Sequence, residues 1–525
     1  MEQRPFISIN NRRMAACAAI LSAFVACAPA WAGVLPSQVL VVYNSRTASG
    51  TEMKDYYLSA HPDIPSANVF DLDNILLNTI QLTYAEFVTL IRNPIRNFLL
   101  LPGGPEPTSI VSICLMKPLP HRIQDTDTGD SGDGPGLAVN EILAGDATNA
   151  AVDAELALLW QNLEAGEAGG TMDSRSDNVI DNPYHKASIG IETFGRGNIQ
   201  TQKTYLNTSN ICWLLGGAGA TQLTPGDMYL VCRIDGNTVA DAKTVIDRAK
   251  GLYINRAVVK ILFDEHNTSG GDHFDDDGLF SDNATDPFWG GNDYELTRDA
   301  LLAAGWMVRY DATFDFVSSA EETSPLIGYA SYGENHASVL GEDPPGAGTF
   351  IDGFRFPPGA MFNTLESYNA RALNGIGTLF DQEQVADFVA AGGTFAIGNV
   401  WEPFSFTVPD NAFMMTNLLL NGLTWAEASY SSMPALSWHQ LVIGDPLGKP
   451  VILFDPGVPK GDMDGNGVVD GRDIRWFISV TMNGLLPYRT AFPALDPVAR
   501  GDFTGDFKVA PDDLAGFISA LLLAP

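Results

Sequence analysis

The sequence predicts an α/β protein built on a mostly parallel sheet with helices on both faces, in a doubly wound layout, followed by a small all-α tail. Three observations carry this. From residue 38 short β-branched runs alternate with amphipathic stretches, the pattern of parallel strands joined by crossover helices. The chain has 525 residues, more than one core of about 250–300 residues accommodates, so at least two folded units are expected. Near the end, "GDMDGNGVVDGRDI" sets acidic or amide side chains at 462, 464, 466, 470 and 473 and then turns apolar.

Taken in order, "QVLVVYN" (38–44) reads as a buried strand. A helix follows around "GTEMKDYYLSAH", where Met53, Tyr57 and Leu58 share a face. "ANVFDLD" is the next strand, "YAEFVTLIRN" the next helix and "RNFLLLPGG" the expected third strand. A polar segment over 121–190, rich in Asp, Gly and Asn around the helix "NAAVDAELALLWQNL", reads as an insertion. The alternation resumes with strands at "DMYLVCRID", "AVVKILFDE", "WMVRYDA", "PLIGYASYG", "PGAMFNTLES", "GTFAIGNV" and "HQLVIGDP". Helices are expected at "ADAKTVIDRAKG", "YELTRDALLAAG", "QEQVADFVAAG" and across 411–430. "FDPGVPKG", with two prolines and two glycines, reads as a break, so 33–455 is the α/β unit, 456–460 a linker and 461–525 the tail.

Residues 1–32 carry Arg4, Arg12 and Arg13 ahead of the apolar run "MAACAAILSAFVACAPAWA", with Ala30 and Ala32 where a signal peptidase reads. An exported chain cut after Ala32 is expected, with a retained membrane anchor as the alternative that Pro29 opposes. Losing Glu2 and the three arginines takes the formal charge from −33 to −35. So acidic a surface repels nucleic acid and anionic lipid, so nucleic-acid binding is not expected, and with the leader cut away no membrane span is expected in the mature chain. Beyond the leader only Cys114, Cys212 and Cys232 remain, without CxxC spacing, which excludes a disulfide scaffold and leaves room for one bridge.

Calcium takes six to eight hard oxygen ligands, and a twelve-residue loop supplies them from positions 1, 3, 5, 9 and 12 plus the carbonyl of 7. Asp462, Asp464, Asn466, Val468 (carbonyl), Asp470 (through water) and Asp473 fall on that register, with Gly467 at position 6, where the loop turns sharply. Residues 502–513 repeat it with Asp502, Thr504, Asp506, Lys508 (carbonyl) and Asp513. Phe507 replaces the glycine and Ala510 offers no oxygen at position 9, so weaker or no binding is expected there. Two such loop-helix repeats at the end of a secreted chain resemble a type I dockerin. The resemblance implies a calcium-folded module that docks on a cohesin-type domain through loop positions 10 and 11, here Gly471 and Arg472, then Pro511 and Asp512. Neither is the hydroxyl pair frequent in cellulosomal dockerins.

In the α/β unit, "VLVVYNSRTASGTEMKDYYLSAHPDIPSANVFDLD", "AVDAELALLW", "MYLVCRIDGNTVADAKTVIDRA", "GYASYGENH", "NVWEPF" and "LSWHQLVIGDPLGKP" resemble an uncharacterised family of exported bacterial proteins from exosortase-encoding genomes. That resemblance implies no activity. A fainter one, to gingipain-type cysteine peptidases of the caspase-like fold, rests on a histidine segment after one strand, a nucleophile position after the next and a late "GDP". It implies His336 after "IGYASYG" and Glu366 and Ser367 after "GAMFNTL", where the peptidases carry cysteine; no cysteine occurs between 233 and 525. A thiol ionises appreciably near neutral pH and a serine does not, so Ser367 acts only with His336 in hydrogen-bond reach.

Ligands of open α/β sheets gather at the carboxyl ends of the strands. The residues expected there are Asn44, Ser45, Arg233, Asp235, Asp264, Glu265, Asn335, His336, Glu366, Ser367, Glu402 and Asp445, forming one polar cleft. The stretch 264–282, with His266, Asp272, His273, Asp275, Asp276, Asp277 and Asp282, reads as an acidic surface loop, a calcium site or a zinc site. "LPGGPEP" lacks a phosphate-loop lysine and reads as a turn. Three functions stay open: an extracellular, polymer-binding or polymer-processing unit in polysaccharide catabolism whose tail engages a cohesin-type or cell-surface partner, a hydrolase with a non-cysteine nucleophile or metal, and a noncatalytic scaffold.

Overall fold

The computed structural model describes residues 33–523 apart from 78, 125–149, 162–179, 197–198, 201–222, 266–292, 314–315, 334–350, 352, 374–384, 402 and 404–406. The expected leader, Cys212, Asn335, His336, Glu402 and residues 266–282 lie outside the described residues.

The protein is α/β, centred on one ten-stranded sheet. Its strands are β1 (Val39–Tyr43), β2 (Val69–Asp71), β3 (Ser112–Met116), β4 (Leu230–Ile234), β5 (Lys260–Asp264), β6 (Val308–Asp311), β7 (Leu326–Ser331), β8 (Met361–Thr364), β9 (Phe395–Asn399) and β10 (Gln440–Ile443). Their order across the sheet is β6-β5-β7-β8-β9-β10-β4-β3-β1-β2. Every pairing is parallel except β9 with β10, where Ala396 faces Ile443 and Asn399 faces Gln440 in antiparallel register. Two parallel halves of five strands therefore run in opposite directions and meet at that seam. Strands β3, β4, β7 and β8 are buried along their whole length, so both faces of the sheet are covered.

Helices form two packed sets. In one, α1 (Gly50–Ala60) meets α2 (Val239–Ala249), which meets α4 (Val385–Ala390). In the other, α3 (Tyr294–Ala303) meets α5 (Asn411–Leu419), which meets α6 (Trp425–Ser432). α2 shows the local logic: Thr238 accepts from the N–H of Asp241 while the Asp241 carboxylate takes the N–H of Thr238, and Ala242, Val245, Ile246 and Ala249 bury one face. Within the polar stretch 121–190, the short helix Val152–Ala157 is wholly buried and touches β4 and β10.

One expected strand is a helix. The apolar run at 97–101 continues the preceding helix, which passes through a π turn at Val88–Arg92 into Asn93–Leu99. Ile91, Ile95 and Leu99 are buried at helical spacing while Leu100 and Leu101 stay exposed, so tertiary burial selects the 3.6-residue period. The third strand is instead β3. Cys114 and Cys232 face each other in the β3–β4 register as free, buried thiols.

The parallel strands Tyr253–Asn255 and Val451–Leu453 form a separate ribbon through which the chain leaves the sheet. After it come α7 (Asp473–Asn483), α8 (Leu485–Ala491), α9 (Pro497–Gly501) and α10 (Leu514–Leu523). These helices have their own core of Met463, Phe477, Val480, Tyr488, Val509 and Phe517, in which the rings of Phe477 and Phe517 stack at 4.2 Å. Among the described residues no helix is long and apolar enough to cross a membrane.

Candidate functional site

The terminal loops are built alike, residue by residue. In the first, Asp473 ends the loop and begins α7; its Oδ1 accepts from the N–H groups of Met463 (2.7 Å) and Asp464 (3.0 Å), and its Oδ2 from that of Asp470 (2.8 Å). In the second, Asp513 repeats this with Phe503 (2.7 Å), Thr504 (2.8 Å) and Ala510 (2.8 Å). The first aspartate of each loop accepts from the N–H at position 6: Asp462 from Gly467 at 2.8 Å, Asp502 from Phe507 at 2.9 Å. That N–H points inward because the residue is left-handed, φ +88° for Gly467 and +65° for Phe507. Phe507 therefore adopts the glycine conformation instead of opening the loop.

These turns bring carboxylate oxygens of Asp462, Asp464 and Asp473 within 4.8 Å of one another, and likewise those of Asp502, Asp506 and Asp513. Three anionic oxygens at that spacing repel one another unless protonated or bridged by a cation. The remaining donors on the register are an amide (Asn466), a hydroxyl (Thr504) and the carbonyls of Val468 and Lys508, all hard oxygens that suit calcium or magnesium better than a thiophilic metal. Asn466 Oδ1 accepts from the N–H of Val468 at 2.8 Å, and Thr504 Oγ1 lies 3.3 Å from Asp502. Asp470 Oδ2 accepts from Arg472 Nε at 3.0 Å and Nη2 at 2.6 Å, which holds its carboxyl below the usual range.

A side chain that sequence reasoning missed joins these loops to the α/β unit. Arg500, on α9, grips both oxygens of the buried Asp455 at 2.7 Å each, and its Nη1 donates to the carbonyl of Asp462 at 2.6 Å. The same Nη1 lies 3.3 Å from Asp462 Oδ2. Although burial pushes the Asp455 carboxyl up, the hydrogen bonds from Arg500 and nearby backbone outweigh it and hold it below the ordinary value. Asn255 of the ribbon donates to the carbonyl of Asp455 (2.6 Å) and to Asp496 (2.9 Å). At the second loop, Arg355 donates to the carbonyl of Gly505 at 2.7 Å and lies 5.0 Å over the Phe507 ring. Between ribbon and tail is a cavity of about 160 Å³ lined by Tyr253, Pro357, Leu485, Arg489 and Phe507 among others. No short signal marks Arg500 or Arg355 in the sequence, because their partners lie 45 and 150 residues away.

The expected single polar cleft is divided. Because β9 and β10 are antiparallel, the carboxyl ends of β1, β3, β4 and β10 lie at one edge and those of β5 to β9 at the other. At the first edge Arg233 is fully buried and pairs with Asp153 (2.7 Å) and Asp235 (3.3 Å), while Lys117 pairs with Asp235 at 2.8 Å. Asp445 takes the Tyr57 hydroxyl at 3.0 Å, and His61 Nε2 lies 2.6 Å from it. Asn44, directly after β1, donates to the carbonyl of Asn74 at 2.9 Å, and the Ser45 N–H meets Asp71 at 3.0 Å. These groups are satisfied by one another, as a structural charge network would be.

At the second edge stand Asp264, Glu265, Glu366 and Ser367. The first three are fully buried and Ser367 is half-buried. Asp264 Oδ2 accepts from the Val317 N–H at 2.9 Å, Oδ1 has no hydrogen-bond partner among the described residues, and burial pushes the carboxyl up to about 8. The Tyr310 hydroxyl lies between the carboxylates of Glu265 and Glu295. Gly333 (φ +85°) lies so close to Glu366 that a Cβ there would come within 2.2 Å of its Cγ, so the chain leaving β7 is pressed onto the start of the chain leaving β8. Comparison of the chain with protein-family models, with curated proteins and with solved structures gives no match.

Proposed function

We propose that this is an exported modular protein whose terminal residues 461–525 form a dockerin-like, calcium-folded module for assembly with a cohesin-type or cell-surface partner. Its α/β unit then binds or processes an extracellular polymer, in the setting of polysaccharide catabolism. The observation that carries the reading is the pair of matched loops, each bringing three carboxylates within 4.8 Å of one another. Asp462, Asp464, Asn466, Asp473 and the Val468 carbonyl would hold the first ion, with Asp470 reaching it through water. Asp502, Thr504, Asp506, Asp513 and the Lys508 carbonyl would hold the second. Calcium supplies charge neutralisation that lets the carboxylates converge, and each loop then seeds the helix at its end. Calorimetric calcium titration of the whole chain should show two ions taken up. A hundredfold excess over Kd should add about 2.7 kcal/mol of stability per site, removed by chelator. Absence of uptake at millimolar calcium would sink the reading.

A second reading, a hydrolase acting through Ser367 and His336, is favoured by one observation: β7 and β8 are adjacent and parallel, so the segments that follow them leave the same edge of the sheet. The same placement suits a noncatalytic scaffold derived from such an enzyme.

A further inference from the structure

The contacts of Arg500 and Arg355 give the tail a second property, which rests on the calcium reading above. We propose that the tail is a metal-gated clamp: loading of the two loops latches it onto the Tyr253–Asn255/Val451–Leu453 ribbon of the α/β unit, and unloading releases it.

The latch consists of carbonyls that only a closed loop presents. Arg500 reaches the Asp462 carbonyl at 2.6 Å, and Asp462 is position 1 of the first loop. Arg355, an exposed residue of the α/β unit, reaches the Gly505 carbonyl at 2.7 Å, and Gly505 is position 4 of the second. Each carbonyl takes its direction from the turn that folds its loop's carboxylates inward. With three carboxylates converging in each loop, the closed turn is opposed by their mutual repulsion, and a divalent ion reverses the sign of that term. Closing the loops thus aims both carbonyls at arginines, of which Arg500 is already held by Asp455.

Arg500 places a positive charge beside the first ion, which alone would oppose loading. Asp455 cancels it. Its carboxylate meets Nε and Nη2 at 2.7 Å each, a bidentate fork that leaves the pair neutral and Nη1 free to point at Asp462. The ribbon fixes Asp455 in turn, through Asn255 Oδ1 accepting its N–H at 3.0 Å and Asn255 Nδ2 donating to its carbonyl at 2.6 Å. The latch thereby runs unbroken from ribbon to loop: Asn255, Asp455, Arg500, Asp462. Gly457, whose Cβ would come within 2.8 Å of Ala499, lets the linker lie flat against α9.

Lys460 reports the state of the clamp. It is exposed, but the next residue is held by the Gly461 N–H donating to the Arg500 carbonyl at 2.8 Å, and its ammonium lies 5.3 Å over the Phe503 ring. A protease needs a locally unfolded stretch, so trypsin should cut after Lys460 only when the clamp opens. In the whole chain, cleavage there is expected at least tenfold faster in chelator than in saturating calcium. In saturating calcium, Arg500→Gln should raise it about tenfold, and Arg355→Gln, which touches no carboxylate of either loop, severalfold, both variants still taking up two ions. Arg355→Gln keeps the test decisive if loss of Arg500 unfolds the tail. Equal cleavage with and without calcium in a parent that takes up both ions overturns the clamp and leaves calcium binding by the two loops standing. Parent-like cleavage of both variants in calcium does the same, and no ion uptake overturns both.

Discussion

Asp264 offers the sharpest quantitative test of the α/β unit. It ends β5 with no solvent exposure, its Oδ1 has no hydrogen-bond partner among the described residues, and its carboxyl is pushed from 3.8 up to about 8, chiefly by burial. At neutral pH the folded protein thus keeps this group protonated, whereas the unfolded chain ionises it. The unfolded state binds fewer protons, so the stability this residue contributes is complete below about pH 4 and is lost as pH rises through the folded value. Between about pH 4 and pH 7 the loss accumulates at 1.36 kcal/mol per pH unit, about 4 kcal/mol in all. Asp264→Asn keeps an oxygen for the Val317 N–H and removes the titration. A buried amide N–H without an acceptor adds a pH-independent offset of roughly 1–3 kcal/mol, so the slope and not the offset is diagnostic. Urea unfolding followed by tryptophan fluorescence at several pH values, in constant calcium, should show the variant gaining about 4 kcal/mol on the parent over that range. Asp293, also pushed up by burial to about 7, titrates in both proteins and drops out of the difference. A parent-minus-variant difference flat with pH would refute a neutral Asp264.

Gly467→Ala isolates the conformational requirement of the first loop, since nothing lies within 4 Å of the added Cβ while φ is +88°. It should weaken calcium at that site by ~1 kcal/mol, roughly fivefold, in calorimetry, with the second site unchanged. For the α/β unit, Ser367→Ala and His336→Ala assayed beside the parent on peptide and glycan libraries should each abolish turnover if the two residues form a dyad. Equal turnover in all three would remove them from any mechanism.

The loop register was legible because its ligands lie within twelve consecutive residues, so spacing alone encodes which oxygens converge. Phe507 marks where that reading stops. Sequence shows a missing glycine, but only the fold shows that φ +65° keeps the turn and that Arg355 covers the ring. Most strands of the large sheet were legible for a similar reason, as β-branched runs between helical periods. The stretch 97–101 was not, because an apolar run of that length fits strand or helix equally until burial of Ile91, Ile95 and Leu99 chooses.

The sequence by itself determined the α/β alternation, the acidic charge and the two oxygen-rich loops, all of which reside in local period and composition. Tertiary structure alone decided that β10 runs against β9, which parts Arg233 and Asp445 from Asp264 and Glu366. It also decided that Arg500 bridges Asp455 and Asp462. Strand direction and long-range ion pairs depend on which distant segments share buried surface, and that is a property of the packed chain, with no trace in the spacing of neighbouring residues.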